Sequence, residues 1–288
     1  MSGQSKGCEL SEELLECCEL CPRKCKVNRL TGEVGFCGIA AKAIVASAGP
    51  HFGEESVLVG RGGSGTIFLA GCNLKCVFCQ NFDISHCAAG TEVSPGELAE
   101  LMLGLEARGC KNINFVTPTH VIVQIAEAIR IARQQKLGVP IVYNCGGYES
   151  VQSLKGLEGL VDVYMPDFKF ADGKVAEHLC KAGDYPEVCR EALKEMHRQV
   201  GDLQIENGVA TCGLLVRHLV LPNGLAGSSG VLEFLAKEIS VHTFVNVMGQ
   251  YRPCYRAGEF SEIARPPSMA EIGGAKEYAR QLGLRLDG

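Results

Sequence analysis

From Gly65 onward the chain alternates short β-rich apolar runs with longer segments whose apolar residues recur every three or four positions. The runs are Thr66–Ala70, Ile113–Val116, Ile141–Tyr143, Val161–Met165, Leu214–Leu221 and Thr243–Met248. Helices are predicted over 95–108, 121–135, 149–157, 187–200, 230–239 and 268–282. Leu98, Leu101 and Leu105 share one helical face, as do Val121, Ile125 and Ile129. Ser94-Pro95 with Glu97 three residues after the serine is a capping-box spacing with Pro in the first turn. A helix start is also expected at Thr119, as N-cap of the 121–135 segment. Six strands alternating with helices imply parallel pairing through right-handed crossovers, in an open doubly wound or a barrel-like sheet. In a barrel, functional side chains belong at the C-terminal ends of the strands.

Upstream the pattern differs. Residues 1–41 are polar and hold six of the sixteen cysteines, and residues 42–64 read as linker-like, with a short strand at Ala43–Ser47 and a Gly-rich end. The expected division is a Cys-rich lobe and linker over 1–64 and a core domain over 65–288. A formal charge of −5 gives no basic footprint for nucleic acid or an anionic membrane, and disfavours both as partners. The start lacks a basic n-region and an apolar h-region, and no apolar run approaches roughly 18–20 residues, so a cytoplasmic chain without a membrane span is expected. So many thiols in such a chain point to metal binding rather than to a disulfide framework.

Cys72, Cys76 and Cys79 sit in one loop directly after the first strand of the alternation. Three thiolates so close can each bind one iron of a cubane and leave the fourth iron free to chelate a substrate group. Phe78, just before the last cysteine, would shield such a cluster. The alternatives are buried thiols in a tight turn, or a zinc site completed by a distant ligand. Structural zinc prefers paired cysteine units, and buried thiols rarely share one loop at this spacing.

This motif, with its surrounding segment Gly65–Asn81, resembles the radical SAM superfamily, and within it the pyruvate formate-lyase activating-enzyme group. The segments 20–37 and 114–120 resemble an activating-enzyme-like subgroup with a Cys-rich N-terminus. The resemblance implies a partial (β/α)6 TIM-like barrel with a small N-terminal metal-binding lobe. It also implies a [4Fe-4S] cluster on Cys72, Cys76 and Cys79, S-adenosylmethionine (SAM) on the open iron, and a one-electron donor of flavodoxin or ferredoxin type.

It further implies where SAM is held. The second strand ends in Thr117-Pro118-Thr119 where the superfamily carries a Gly-Gly-Glu-like turn, so Thr117 and Thr119 are the candidates for the amino group. Asp167 and Lys169, two residues apart on one strand face, resemble an Asp-x-Lys element near SAM, although a surface ion pair would look the same. Arg217 is the candidate for the SAM carboxylate, while His218 faces the other way and is structural. Gln250 or Tyr251 would meet the adenine. Asn144, Cys145, Met165 and Asp167 match positions around a monovalent cation, with Asn144 where the pattern has an acid. His120 and Tyr148 are weaker candidates for meeting substrate, since lone His and Tyr residues are more often packing groups.

In the N-terminal segment, Cys18, Cys21, Cys25 and Cys37 supply four thiols among glycines that permit tight turns, with Cys17 making the register ambiguous. They suit a structural zinc, a rubredoxin-like iron or an auxiliary cluster, because so short a segment with few large apolar groups needs a staple. Cys87, Cys110, Cys145, Cys180, Cys189, Cys212 and Cys254 show no paired spacing and read as core thiols. The expected function is SAM-dependent hydrogen abstraction from a protein or peptide, with glycyl-radical activation as one form. Modification of a small metabolite or other macromolecule, and a non-enzymatic iron–sulfur or zinc protein on the same fold, are the competing readings.

Overall fold

The computed structural model describes residues 10–287; the polar start of the chain, with Cys8, lies outside the described residues. The strands are β1 (Ala43–His51), β2 (Ser64–Leu69), β3 (Thr91–Val93), β4 (Ile113–Val116), β5 (Ile141–Cys145), β6 (Val163–Pro166), β7 (Gln204–Glu206), β8 (Val209–Leu219), β9 (Phe244–Met248) and β10 (Arg285–Leu286). They form one sheet in the order β10-β9-β8-β6-β5-β4-β2-β1-β3, with β7 pairing on β8. The six predicted strands are β2, β4, β5, β6, β8 and β9, and each pairs in parallel with the next. A succession that never reverses direction is the layout of a partial barrel; a doubly wound sheet reverses its strand order at a switch point.

The helices follow their start signals. Both halves of the capping box form at Ser94 and Glu97, opening Pro95–Ala107. A second box at Ser268 and Glu271 opens Met269–Gln281. The segment expected over 149–157 is shorter, Val151–Lys155, and that over 230–239 divides into Ser228–Phe234 and a π turn, Leu235–Ile239. Thr119 does not cap the next helix: a 3-10 turn occupies Thr119–Val121, and its hydroxyl donates to the buried Glu149 instead. The helix Gly173–Cys180 has no counterpart in the periodicity, nor have the single turns Ser56–Val59 and Phe82–Ser85. It is only eight residues long, and Asp172 starts it by accepting from the amides of Lys174 and Val175.

The strand expected at Ala43–Ser47 runs on to His51, because residues 45–51 pair antiparallel with β2. Gly49-Pro50 hides this continuation from any β-propensity count.

Alternation along the strands places the site. Val142, Met165 and Leu215 pack with Leu58, Val163 and Phe244 in a small apolar cluster. Two residues further on each strand, on the same face, stand Asn144, Asp167 and Arg217. The inner face of the sheet is thus apolar at its floor and polar where the strands end. The neighbouring residues Tyr143, Tyr164 and Val216 belong to the large core, as do the inner faces of Pro95–Ala107 and Ile122–Gln134.

Candidate functional site

A cavity of about 270 Å³ opens at the C-terminal strand ends. Cys72, Cys76 and Cys79 line it, with Phe78 between them. Thr117 enters from the end of β4, Asn144 and Cys145 from β5, and Asp167 and Lys169 from beyond β6. Arg217 comes from β8, and Gln250 and Tyr251 follow β9. Ten of the eleven candidates for cluster or SAM contact at the strand ends, Cys72, Cys76 and Cys79 with Thr117, Asn144, Asp167, Lys169, Arg217, Gln250 and Tyr251, therefore reach the cavity. Thr119 does not: it is 1% exposed and turned to Glu149.

The cysteine loop is tied at several points. Gly71 N–H donates to Ile84 O, Val77 N–H to Leu179 O, and Val77 O accepts from Arg256 N–H. The sulfurs have donors of their own, Leu74 N–H toward Cys72 Sγ at 3.3 Å and Ser85 Oγ beside Cys79 Sγ at 3.2 Å. Burial pushes the Cys72 thiol up to about 12. The Cys180 hydrogen bond and burial raise Cys76 as well. All three are protonated thiols without metal, so loading iron must release protons. Among the described residues no three Cys, His, Asp or Glu side chains are gathered tightly enough to hold a single metal ion. Three thiols set around a cavity this size fit the corners of a cubane, which is wider than one ion.

Opposite the thiols lies a buried charged group. Arg217 Nε donates to Asp167 Oδ1 at 2.8 Å and Arg217 Nη2 to Asn144 Oδ1 at 2.8 Å, while Lys169 Nζ bonds Asp167 Oδ2. Glu55 stands behind, 4.0 Å from Arg217 Nη1, and accepts from Asn246 at 3.0 Å. Burial pushes the Asp167 carboxyl up, but Arg217 and Lys169 outweigh it and hold it below the ordinary value. Burial likewise lowers Lys169, and the Asp167 and Cys76 charges overcome this and raise it. The ion pair is thus no exposed surface pair; both cations stay charged at the cavity wall. Asn144 turns its oxygen to Arg217.

Thr117 has φ of +62°, an unusual conformation for a β-branched residue, and its amide donates to Asn144 O at 2.9 Å. Such left-handed strain costs roughly 1–3 kcal/mol and tends to sit at functional positions. Tyr251 is buried and donates its hydroxyl to Ile263 O at 2.7 Å, so only its ring is offered to the cavity.

His120 and Tyr148 do not reach the cavity. His120 Nε2 donates to Ala70 O at 2.8 Å, and burial lowers its pKa to about 4, so it is neutral. Tyr148 donates to Asp184 at 2.6 Å. His218 is structural as expected, held between Phe168 O and Ser228 Oγ. Met165 lies in the floor and does not reach the cavity.

The unpaired cysteines are not all core thiols. Cys87 is exposed, Cys212 and Cys254 are half-buried, and Cys145 faces the cavity. Cys180 closes the unpredicted helix Gly173–Cys180 and brings its Sγ to 3.1 Å from Cys76 Sγ. No spacing in the sequence foretells that contact across 104 positions. Glu149, bonded by Thr119 and by Tyr143 at 3.1 Å, is a second missed residue, a buried acid beneath the strand ends.

Fold and site together define a protein whose partial barrel gathers three thiols and a charged wall at its mouth. The radical SAM superfamily pattern matches residues 66–216, and the chain belongs to that superfamily. It is 35% identical over 96% of its length to the uncharacterised protein MJ0674 of Methanocaldococcus jannaschii, covering 78% of that protein. It is 26% identical over 62% of its length to MJ0808 of the same organism, also uncharacterised, and spans 56% of it. Among solved structures it is similar to methylornithine synthase (PylB), with a TM-score of 0.51 at 16% identity, over 77% of this chain and 63% of that one. That likeness concerns the fold. Membership makes the protein a SAM-dependent iron–sulfur enzyme that needs an electron donor, and no helix among the described residues is long and apolar enough to cross a membrane.

Proposed function

We propose that Cys72, Cys76 and Cys79 hold a [4Fe-4S] cluster, and that Arg217, Lys169, Asp167, Asn144, Thr117 and Gln250 hold SAM beside it. The carrying observation is that six strand ends deliver these groups to one cavity. When bound, cluster and SAM supply a 5′-deoxyadenosyl radical that takes a hydrogen atom from the substrate. Arg217, whose Nε and Nη2 are bound to Asp167 and Asn144, offers its Nη1 side to a carboxylate, and Asp167 keeps both neighbouring cations oriented. The Thr117 turn presents oxygen acceptors where an ammonium needs them, and Phe78 and Tyr251 keep water from the thiols. In this assignment residues 65–288 form the catalytic core, and residues 1–64 carry the lobe with Cys18, Cys21, Cys25 and Cys37.

The rim supports one reading of the substrate class. Phe82 and Tyr255 stack with centroids 5.0 Å apart, both partly exposed, next to Asn81 and Ser85 of the cavity wall. An aromatic pair at a cavity mouth suits docking of a protein or peptide. This supports a macromolecular substrate of the activating-enzyme kind, with reduction by a flavodoxin- or ferredoxin-type donor. The test is anaerobic reconstitution, dithionite reduction and chromatography of the products. The expected result is 5′-deoxyadenosine with SAM present; none above a Cys76→Ala control would refute SAM cleavage. A small metabolite carrying the turnover in place of a peptide would remove the macromolecular assignment.

A further inference from the structure

The lobe around Cys18, Cys21, Cys25 and Cys37 takes no part in the cavity just described, yet its interior is built for an anionic metal centre. The four thiols line one void within the lobe. Each sulfur has a donor. Arg29 Nη1 points to Cys18 Sγ at 3.8 Å, and Phe36 N–H to Cys25 Sγ at 3.3 Å. The Arg23 amide serves Cys21 and the Ile39 amide serves Cys37.

Arg29 is 1% exposed, with no carboxylate among its partners; its other hydrogen bonds go to Ala40 O and His120 O. Arg23 also lines the void, between the Phe36 ring at 3.9 Å and the carbonyls of Asn73 and Cys180. A buried guanidinium without an acid needs negative charge nearby. His120 lines the same void and is 2% exposed.

From this we infer that Cys18, Cys21, Cys25 and Cys37 bind a second [4Fe-4S] cluster, fully ligated by protein. Four thiolates on a cubane of charge +2 leave a net charge of −2, which Arg29 and Arg23 balance. The spacing selects a cluster over a single ion. Here no three thiols are drawn together tightly enough for one ion, whereas the corners of a cubane stand further apart. Gly35 belongs to the cradle, since a Cβ there would stand 2.7 Å from Cys25 Sγ. The centre also braces the SAM-site loop: Arg23 Nε donates to Asn73 O at 2.8 Å, one residue beyond Cys72, and the His120 ring holds Ala70 O.

The test separates this centre from the first. A full-length variant with Cys72, Cys76 and Cys79 all changed to Ala is reconstituted anaerobically with ferrous iron and sulfide. About four irons and four sulfides per chain are expected, with a reduced-state EPR signal that SAM does not alter, since no iron is open. Adding Cys21→Ser and Cys37→Ser should abolish both. Should the triple variant not fold, the wild-type protein carries the test: about eight irons per chain and two EPR signals, only one of them shifted by SAM. One zinc per chain, or four irons and a single SAM-sensitive signal in wild type, would overturn the second cluster and leave the first intact.

Discussion

Changing Gly71 to alanine tests how closely the N-terminal lobe presses on the cluster loop. Gly71 has φ of +81°, and a Cβ there would stand 2.5 Å from Ile39 Cγ1 and 2.8 Å from Cys37 O. The Ile39 side chain can turn aside; the Cys37 carbonyl is backbone and can yield only by moving its own thiol. A left-handed conformation costs an L-residue roughly 1–2 kcal/mol. Forcing extra volume into a packed site adds about 1–3 kcal/mol. Together these give about 2–5 kcal/mol, a large share of the ~5–15 kcal/mol that holds a typical domain folded. The strain falls on Cys72, the next residue. Urea unfolding of reduced, metal-free wild type and variant should show a lower midpoint for Gly71→Ala at unchanged slope. Iron retained after reconstitution and desalting should fall in parallel. Equal midpoints would refute the close approach, and a lowered midpoint with full iron would refute the mechanical link to the cluster loop.

Other consequences can be checked directly. Arg217→Ala should weaken SAM binding roughly 10–100-fold, the value of one or two charge-assisted hydrogen bonds, and an unchanged Kd by calorimetry would rule Arg217 out as the carboxylate partner. Cys180→Ala should keep wild-type iron content and a SAM-sensitive EPR signal, because Cys180 neighbours Cys76 without being needed as a ligand; loss of the cluster would make it one. Burial raises the Glu149 pKa from the ordinary 4.5 to about 7. The folded protein therefore holds that proton longer than the unfolded chain. This stabilisation is complete below pH 4.5 and is lost as pH rises through about 7. The slope from this one group approaches ~1.4 kcal/mol per pH unit, and Glu149→Gln should flatten it. A variant whose stability keeps the wild-type slope over that window contradicts the assignment.

Much of the barrel was legible because its signals are local. Buried parallel strands read as short continuous apolar runs, and Ser94 with Glu97 forms a capping box from residues three apart. The extension of β1 to His51 was not legible, since Gly49-Pro50 has no strand propensity and the pairing with β2 overrides that. The helix Gly173–Cys180 is too short for its periodicity to register, and the contact between Cys180 and Cys76 that it creates was therefore invisible. Thr119 carries the composition of a helix cap, yet Glu149, thirty residues away, takes its hydroxyl. His120 was a weaker candidate for the cavity, and the 3-10 turn at Thr119–Val121 carries it to the thiol lobe.

By itself the sequence determined the chemistry that depends on neighbours along the chain: three thiols in one loop, four in another, and six strands whose ends had to carry the polar groups. Spacing suffices for the first because a loop of eight residues, Cys72–Cys79, cannot scatter its cysteines. Only the tertiary structure decided which groups share a charge or a void. It set Arg217 on Asp167 and Asn144, Arg23 on the Asn73 carbonyl beside Cys72, and Arg29 among the N-terminal thiols. Those partners come from different strands and loops, and burial, which no local pattern reports, gives each contact its strength.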